Sequence, residues 1–169
     1  VKTPLHDRVL VIGVGNEDRG DDGVGIMTVR RLRERMALPS VQIVEQSGDG
    51  TDLIDLWQST TAQSVYLIDA MSSGAPAGSV LRFEADREPV SVLLAESSTH
   101  AFGVAQAIEL ARVLGCLPPQ VVVYAIEGKC FEPGAALSTD VKAAVQIVAE
   151  SIAASIEAVF LPEPTEARA

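Results

Sequence analysis

The sequence predicts an α/β fold: a mainly parallel sheet with helices on both faces. Three observations lead there. Short apolar runs alternate with stretches of helical periodicity along the whole chain. Hydrophobic residues make up 47% of the 169 residues and aromatic ones only 4%, so the core must rest on Val, Ile, Leu and Ala, as in buried parallel strands. The first apolar run also feeds a glycine-rich turn and then a helix.

The elements follow in order. Residues 8–14 read as a strand. Residues 21–36 read as a helix, with Val24, Met27, Thr28, Leu32 and Met36 near helical spacing and Pro39 beyond its end. Residues 41–46 form a second strand, and Ser47-Gly-Asp-Gly50 a turn. A short helix covers 51–58, with Thr51 as its N-cap. Residues 64–69 are a third strand, followed by a Gly/Pro/Ser-rich loop over 71–78. Residues 79–84 alternate as an edge strand does, and 89–99 carry no clear pattern. A helix over 101–114, capped by Ser98 or Thr99, precedes the last strand, 120–126. After a loop over 127–136, a long helix covers 138–160 with Ala, Val and Ile on one face. Residues 1–160 are expected as one domain and 161–169 as a frayed polar tail.

A formal net charge of −10 repels nucleic acid and anionic lipid, so neither is expected as a partner. Cys116 and Cys130 have no metal-like spacing, and a reducing compartment accounts for them. No apolar stretch reads as approaching the about 20 residues that span a bilayer. The run Val9–Val14 is too short for a signal peptide. A soluble cytoplasmic protein is expected.

Ligands of open α/β sheets bind at the carboxyl ends of the strands. The residues just after each strand therefore carry the candidate chemistry. Asp21 and Asp22 stand together where a helix begins. One acid there is a cap or a dipole-favoured first-turn carboxylate. Asp21 fills that role, which leaves Asp22 as surplus acid and points to a cation site. Asp69 closes the run Val65-Tyr-Leu-Ile68, either as a turn acid or as a functional one. His100, one of two histidines with His6, stands before a predicted helix. Two carboxylates and an imidazole suit a divalent first-row metal with positions left open.

Rival readings are weaker. Gly13-Val-Gly15 opens a dinucleotide fingerprint, with Glu45 placed to hold a ribose, but Asp18 stands where the third glycine belongs. Asp18, Asp21 and Asp22 would also oppose a pyrophosphate with like charge. No Gly-Lys-Ser/Thr follows for a P-loop. No Ser or Cys pairs with a second His as a nucleophilic triad requires. Arg30, Arg31, Arg33 and Arg35 read as a solvated, dipole-favoured face.

The segment Gly13-Val-Gly-Asn-Glu-Asp-Arg-Gly-Asp-Asp-Gly-Val-Gly25 resembles the signature of the hydrogenase maturation endopeptidases. The likeness continues in Glu45-Gln-Ser-Gly48, Leu67-Ile-Asp-Ala70, Thr99-His100 and residues 134–141. It implies a three-layer α/β/α sandwich with a twisted five-stranded sheet, mainly parallel, whose one antiparallel strand is 79–84. It implies metal ligation by Asp22, Asp69 and His100, which would also be the catalytic residues, and substrate engagement at Gly48, Asp49 and Gly50. The implied activity is that of an endopeptidase, described as an aspartyl protease, acting on the C-terminal extension of a nickel-iron hydrogenase large-subunit precursor. Nickel would come with the precursor rather than be tightly held by this chain, which is expected to act as a monomer. The alternatives are a nickel-sensing or chaperone-like module that binds the precursor without hydrolysis, and a dinucleotide-binding protein.

Overall fold

The computed structural model describes residues 9–90 and 103–160. Five strands form one sheet in the order β2-β1-β3-β5-β4. They are β1 (Val9–Val14), β2 (Val41–Gln46), β3 (Ser64–Met71), β4 (Val80–Glu84) and β5 (Gln120–Glu127). β1 pairs in parallel with β2 and with β3, and β3 with β5, whereas β4 runs antiparallel to β5. The antiparallel strand is the one expected at 79–84. The helices are α1 (Val24–Arg35), α2 (Gly50–Ser59), α3 (Val104–Leu114) and α4 (Thr139–Phe160).

Side chains alternate across each strand, so the sheet has two apolar faces. Val9, Val11, Tyr66, Ile68, Val122, Tyr124 and Ile126 face α1 and α4. Leu10, Ile12, Val14, Val65, Leu67, Val121 and Val123 face α2 and α3. Three layers result. The central strands β1, β3 and β5 are buried on both faces, which is why they read as unbroken apolar runs.

α4 buries Val141, Ala144, Val148, Ile152 and Ile156 at helical spacing against the sheet and α1. Each buried Val or Ile contributes about 1.5–3 kcal/mol. By length and composition this helix is also long and apolar enough to cross a membrane, contrary to the expectation that no segment is.

Some boundaries differ from expectation. The first helix is preceded by a 3-10 turn, Gly20–Gly23, and begins only at Val24. Of the positions expected at helical spacing, Val24, Thr28, Leu32 and Met36 are buried, and Ile26 and Val29 join them, whereas Met27 is 39% exposed. Asp49, not Thr51, caps α2: its carboxylate accepts the Thr51 N–H at 2.8 Å. α3 starts at Val104 after Gly103, and the expected caps Ser98 and Thr99 lie outside the described residues, as do Arg8, most of 89–99 and the tail 161–169. Cys116 and Cys130 are unpaired.

Candidate active site

The strand order fixes where a ligand can sit. From β1 the chain moves outward to β2, then returns to the other side of β1 as β3. The connections therefore diverge between β1 and β3, and a crevice opens at the carboxyl ends of those two strands. Asp22 follows β1 and Asp69 lies near the end of β3, so the two acids flank that switch point.

Glycines let the first motif wind tightly there. Gly15 has φ +137°, and a Cβ on it would lie 1.8 Å from the Asp22 carbonyl oxygen. The Asn16 N–H donates to the Asp22 carboxylate at 3.0 Å, closing the turn across six residues. Gly25 lies against two strands at once: a Cβ there would come within 2.3 Å of the Val14 carbonyl and 2.4 Å of that of Ile68. Of the partial dinucleotide fingerprint, Gly13 meets the Gly25 carbonyl of α1, 2.3 Å from where its Cβ would stand, and Gly15 serves the turn at Asp22, so both glycines serve packing.

Asp22 and Asp69 are both buried, at 1% and 6% exposure. Asp69 accepts the Ala70 N–H at 2.8 Å. Burial raises its carboxyl to about 7, and the nearby charge of Asp22 adds to the rise against the Ala70 bond. A small apolar cavity of about 20 Å³ lies beside Asp69, lined by Met71, Phe83, Val104, Ile108 and Val123 among others. Beside Asp22 opens a wider cleft of about 500 Å³, whose walls include Glu17, Asp18, Arg19, Arg30, Gln46 and Ser47. Two buried carboxylates, with Asp69 raised by burial and by the charge of Asp22, are the donor set a divalent cation would relieve, so the residues present fit a metal.

Of the expected ligand set, the structure brings Asp22 and Asp69 together. His100 and His6 lie outside the described residues, and among the described residues no group of three ligand-type side chains converges. The expected substrate turn follows β2, one strand over. Gly48 is buried with φ +93°, Asp49 is committed to capping α2, and Gly50 is buried at the first helical position. Gln46 and Ser47, rather than these three, are among the residues that wall the cleft.

Asp21 is not the cap expected of it. The N-cap of α1 is Gly23, with no side-chain bond. Asp21 is wholly buried and accepts the N–H groups of Lys129, Cys130 and Ser138 at 2.7–3.0 Å, together with the Ser138 hydroxyl. Burial works to raise its carboxyl, but the Ser138 hydroxyl and the three amides outweigh it and hold the group below its usual range.

Glu127 stands at the start of the loop expected over 127–136. It ends β5 at 2% exposure and accepts the Ser73 and Gly74 N–H groups and the Ser73 hydroxyl. The signal was available: an acid closes the apolar run of β5 as Asp69 closes that of β3.

Glu45 is engaged by Arg30 at 2.9 Å and by Arg33, and Arg30 also holds Glu17. Glu45 is therefore already paired where a dinucleotide reading needs it for a ribose. Arg30 and Arg33 form this bridge between α1 and β2, whereas Arg31 and Arg35 stay on the solvated face and pair with Glu34 and Glu157.

The family model described as hydrogenase maturation protease matches residues 26–155, well over half of the chain. The chain is 26% identical over 150 residues to the hydrogenase 2 maturation protease of Escherichia coli, an alignment covering 88% of this chain and 90% of that one. It is 28% identical to the hydrogenase expression/formation protein HupD of Thiocapsa roseopersicina, over 70% of this chain but only 53% of that protein's length. The solved NiFe hydrogenase maturation protease HybD from Thermococcus kodakarensis superposes with a TM-score of 0.66 at 26% identity, covering 88% and 99% of the two chains.

Proposed function

The chain belongs to the hydrogenase maturation protease family, and from that premise we propose that it is an endopeptidase that removes the C-terminal extension of a nickel-iron hydrogenase large-subunit precursor after nickel insertion. The observation that carries the reading is the buried Asp22–Asp69 pair at the β1/β3 switch point of a chain matched by that family model. Nickel enters as part of the substrate. Asp22, Asp69 and His100 are assigned to complete its coordination, His100 on the sequence motif alone.

A metal held there would polarise the scissile carbonyl or lower the pKa of an attacking water. The rest belongs to the chain. Asn16 holds the Asp22 carboxylate in place through its N–H. Asp69, raised to about 7, is half-protonated near neutrality and can give up or take a proton as charge arrives beside it. The apolar cavity at Asp69 limits water on that side. The extended peptide is assigned to the cleft walled by Gln46 and Ser47, next in the chain to the expected turn of Gly48, Asp49 and Gly50. The net charge of −10 supports a protein partner rather than nucleic acid. A cytoplasmic location and a monomeric state belong to the same proposal.

The test is incubation with candidate precursors, with and without nickel, followed by intact-mass measurement. A mass loss matching a C-terminal peptide supports the proposal. Stable complex formation without mass loss would replace it with a precursor-binding module.

A further inference from the structure

Two buried carboxylates outside the Asp22–Asp69 pair anchor one short segment, residues 127–130, at the end of β5: Glu127 belongs to it and Asp21 binds it. Asp21 accepts the Lys129 N–H at 2.8 Å and the Cys130 N–H at 3.0 Å, and its own N–H donates to the Cys130 carbonyl at 2.8 Å. Ser138 adds its N–H at 2.7 Å and its hydroxyl. From the other side, Glu127 accepts the Ser73 and Gly74 N–H groups at 2.9 Å each and the Ser73 hydroxyl at 2.7 Å. The Gly128 N–H donates to the Met71 carbonyl at 2.9 Å.

Asp21 adjoins Asp22, and Met71 and Ser73 closely follow Asp69. The segment at the end of β5 is thus a strut, fixed at one end to the turn that carries Asp22 and at the other to the strand end that carries Asp69. Two buried like charges repel, so their spacing has to be imposed by the framework around them. An ionised carboxylate suits that task because it accepts several N–H and O–H bonds at once and donates none. We infer that Asp21 and Glu127 are positioning residues, which set the relative placement of Asp22 and Asp69 through the strut at 127–130. The catalytic meaning of that placement rests on the peptidase reading; the placement itself does not.

Each end of the strut has a reporter at the other. The Asn16 N–H is bonded to Asp22, and the Ala70 N–H to Asp69. Amide hydrogen exchange followed by NMR would compare the wild type with Glu127→Gln and Asp21→Asn, using Leu10 in β1 as a reporter of global opening. Glu127→Gln should speed exchange at the distant Asn16 by about tenfold, and Asp21→Asn should do so at the distant Ala70, with Leu10 unchanged. Exchange rising only at Ser73 and Gly74, or only at Lys129 and Cys130, would reduce each acid to a local staple and overturn the inference. If either variant loosens the whole chain, Ser73→Ala and Ser138→Ala decide, since each removes one hydroxyl only; an unchanged distant reporter in both would overturn it equally. In cleavage assays with nickel-loaded precursor, Glu127→Gln should lower kcat by about tenfold with KM little changed. An equal change in KM alone would argue against positioning. If the wild type cuts no precursor, the peptidase reading fails, and the exchange result still decides the strut.

Discussion

Asp22 lies close enough to Asp69 for its charge, added to burial, to lift the Asp69 carboxyl from an ordinary value near 3.8 to about 7. Such a pair is costly to a folded chain with nothing bound, and the cost is what makes it informative. Structural carboxylates in this protein look different. Asp21 and Glu127 are equally buried, yet several N–H and O–H donors surround each of them.

The first prediction follows from that cost. The folded-state pKa of Asp69 is raised, so the native state binds its proton more tightly than the unfolded chain does. Its unfavourable contribution is absent below the unfolded value and grows as pH rises from about 4 to about 7. Metal-free Asp69→Asn should therefore gain stability over the wild type at pH 8, on the order of a few kcal/mol, and little or none at pH 4. Urea unfolding at the two pH values checks this. A difference independent of pH would show that the Asp69 charge carries no such penalty.

Asp21 gives the opposite sign. Its folded-state pKa is lowered, so its contribution is present above the usual carboxylate range and is lost as pH falls through the folded value. Asp21→Asn should cost about 2–4 kcal/mol at pH 7, because the amide presents N–H groups to the N–H donors it faces. The deficit should shrink in acid. Denaturant midpoints at pH 7 and at about pH 2, below the ordinary carboxylate range, would settle it, and a deficit that grows in acid would contradict the assignment.

Much of the fold was legible, for a physical reason. Strands buried on both faces cannot alternate, so β1, β3 and β5 stood out as apolar runs, and the edge strand β4 as an alternating one. The placement of Asp22 and Asp69 was legible too, because strand ends in such sheets are where sites form. What failed was longer in range or finer in phase. The partners of Asp21 lie 108–117 residues away, so nothing in its neighbourhood distinguished an anchor from a cap. Met27 of α1 was misplaced because at 100° per residue it falls off the buried stripe of Val24, Thr28 and Leu32. The pairing of Glu45 with Arg30 spans two elements whose packing the sequence does not state.

Gly25 offers a steric test of how α1 meets the sheet. Its missing Cβ leaves room for the Val14 and Ile68 carbonyls, 2.3 and 2.4 Å from where that atom would stand. Both are backbone atoms of central strands and cannot swing aside. Gly25→Ala should cost about 3 kcal/mol or more, although alanine favours helix by about 1 kcal/mol. Thermal and urea unfolding measure this; a neutral substitution would mean that α1 sits farther from β1 and β3.

His100→Ala should abolish precursor processing and leave the circular dichroism spectrum and unfolding midpoint unchanged. The assignment comes from the sequence, where His100 supplies the imidazole nitrogen beside two carboxylates. His6→Ala is the comparison, since His6 lies outside the resembling segments and should retain full activity. Equal activity of the two variants would remove His100 from the ligand set. Loss of folding in His100→Ala would make it a structural histidine.

The last prediction concerns where the metal comes from. The isolated protein should hold little tightly bound nickel, yet cleave only nickel-loaded precursor. Two carboxylates and one histidine leave coordination positions open, and none of the assigned ligands is a thiolate that would retain a soft-ligand metal. The Asp22–Asp69 pair also partly neutralises itself, since Asp69 is raised to about 7 and holds its proton over part of the neutral range. A free cation must displace that proton before it binds, which lowers the apparent affinity at neutral pH. A metal already fixed in the substrate arrives at high effective concentration once the precursor docks, and overcomes the same cost. The scheme makes cleavage conditional on finished metal insertion. Elemental analysis of protein purified without added metal checks the first half. Mixing metal-free protein with apo-precursor and with nickel-loaded precursor, and following the released peptide by mass, checks the second. If apo-precursor is cut as fast as the loaded form, recognition does not run through substrate nickel, and the acids act in an ordinary hydrolysis.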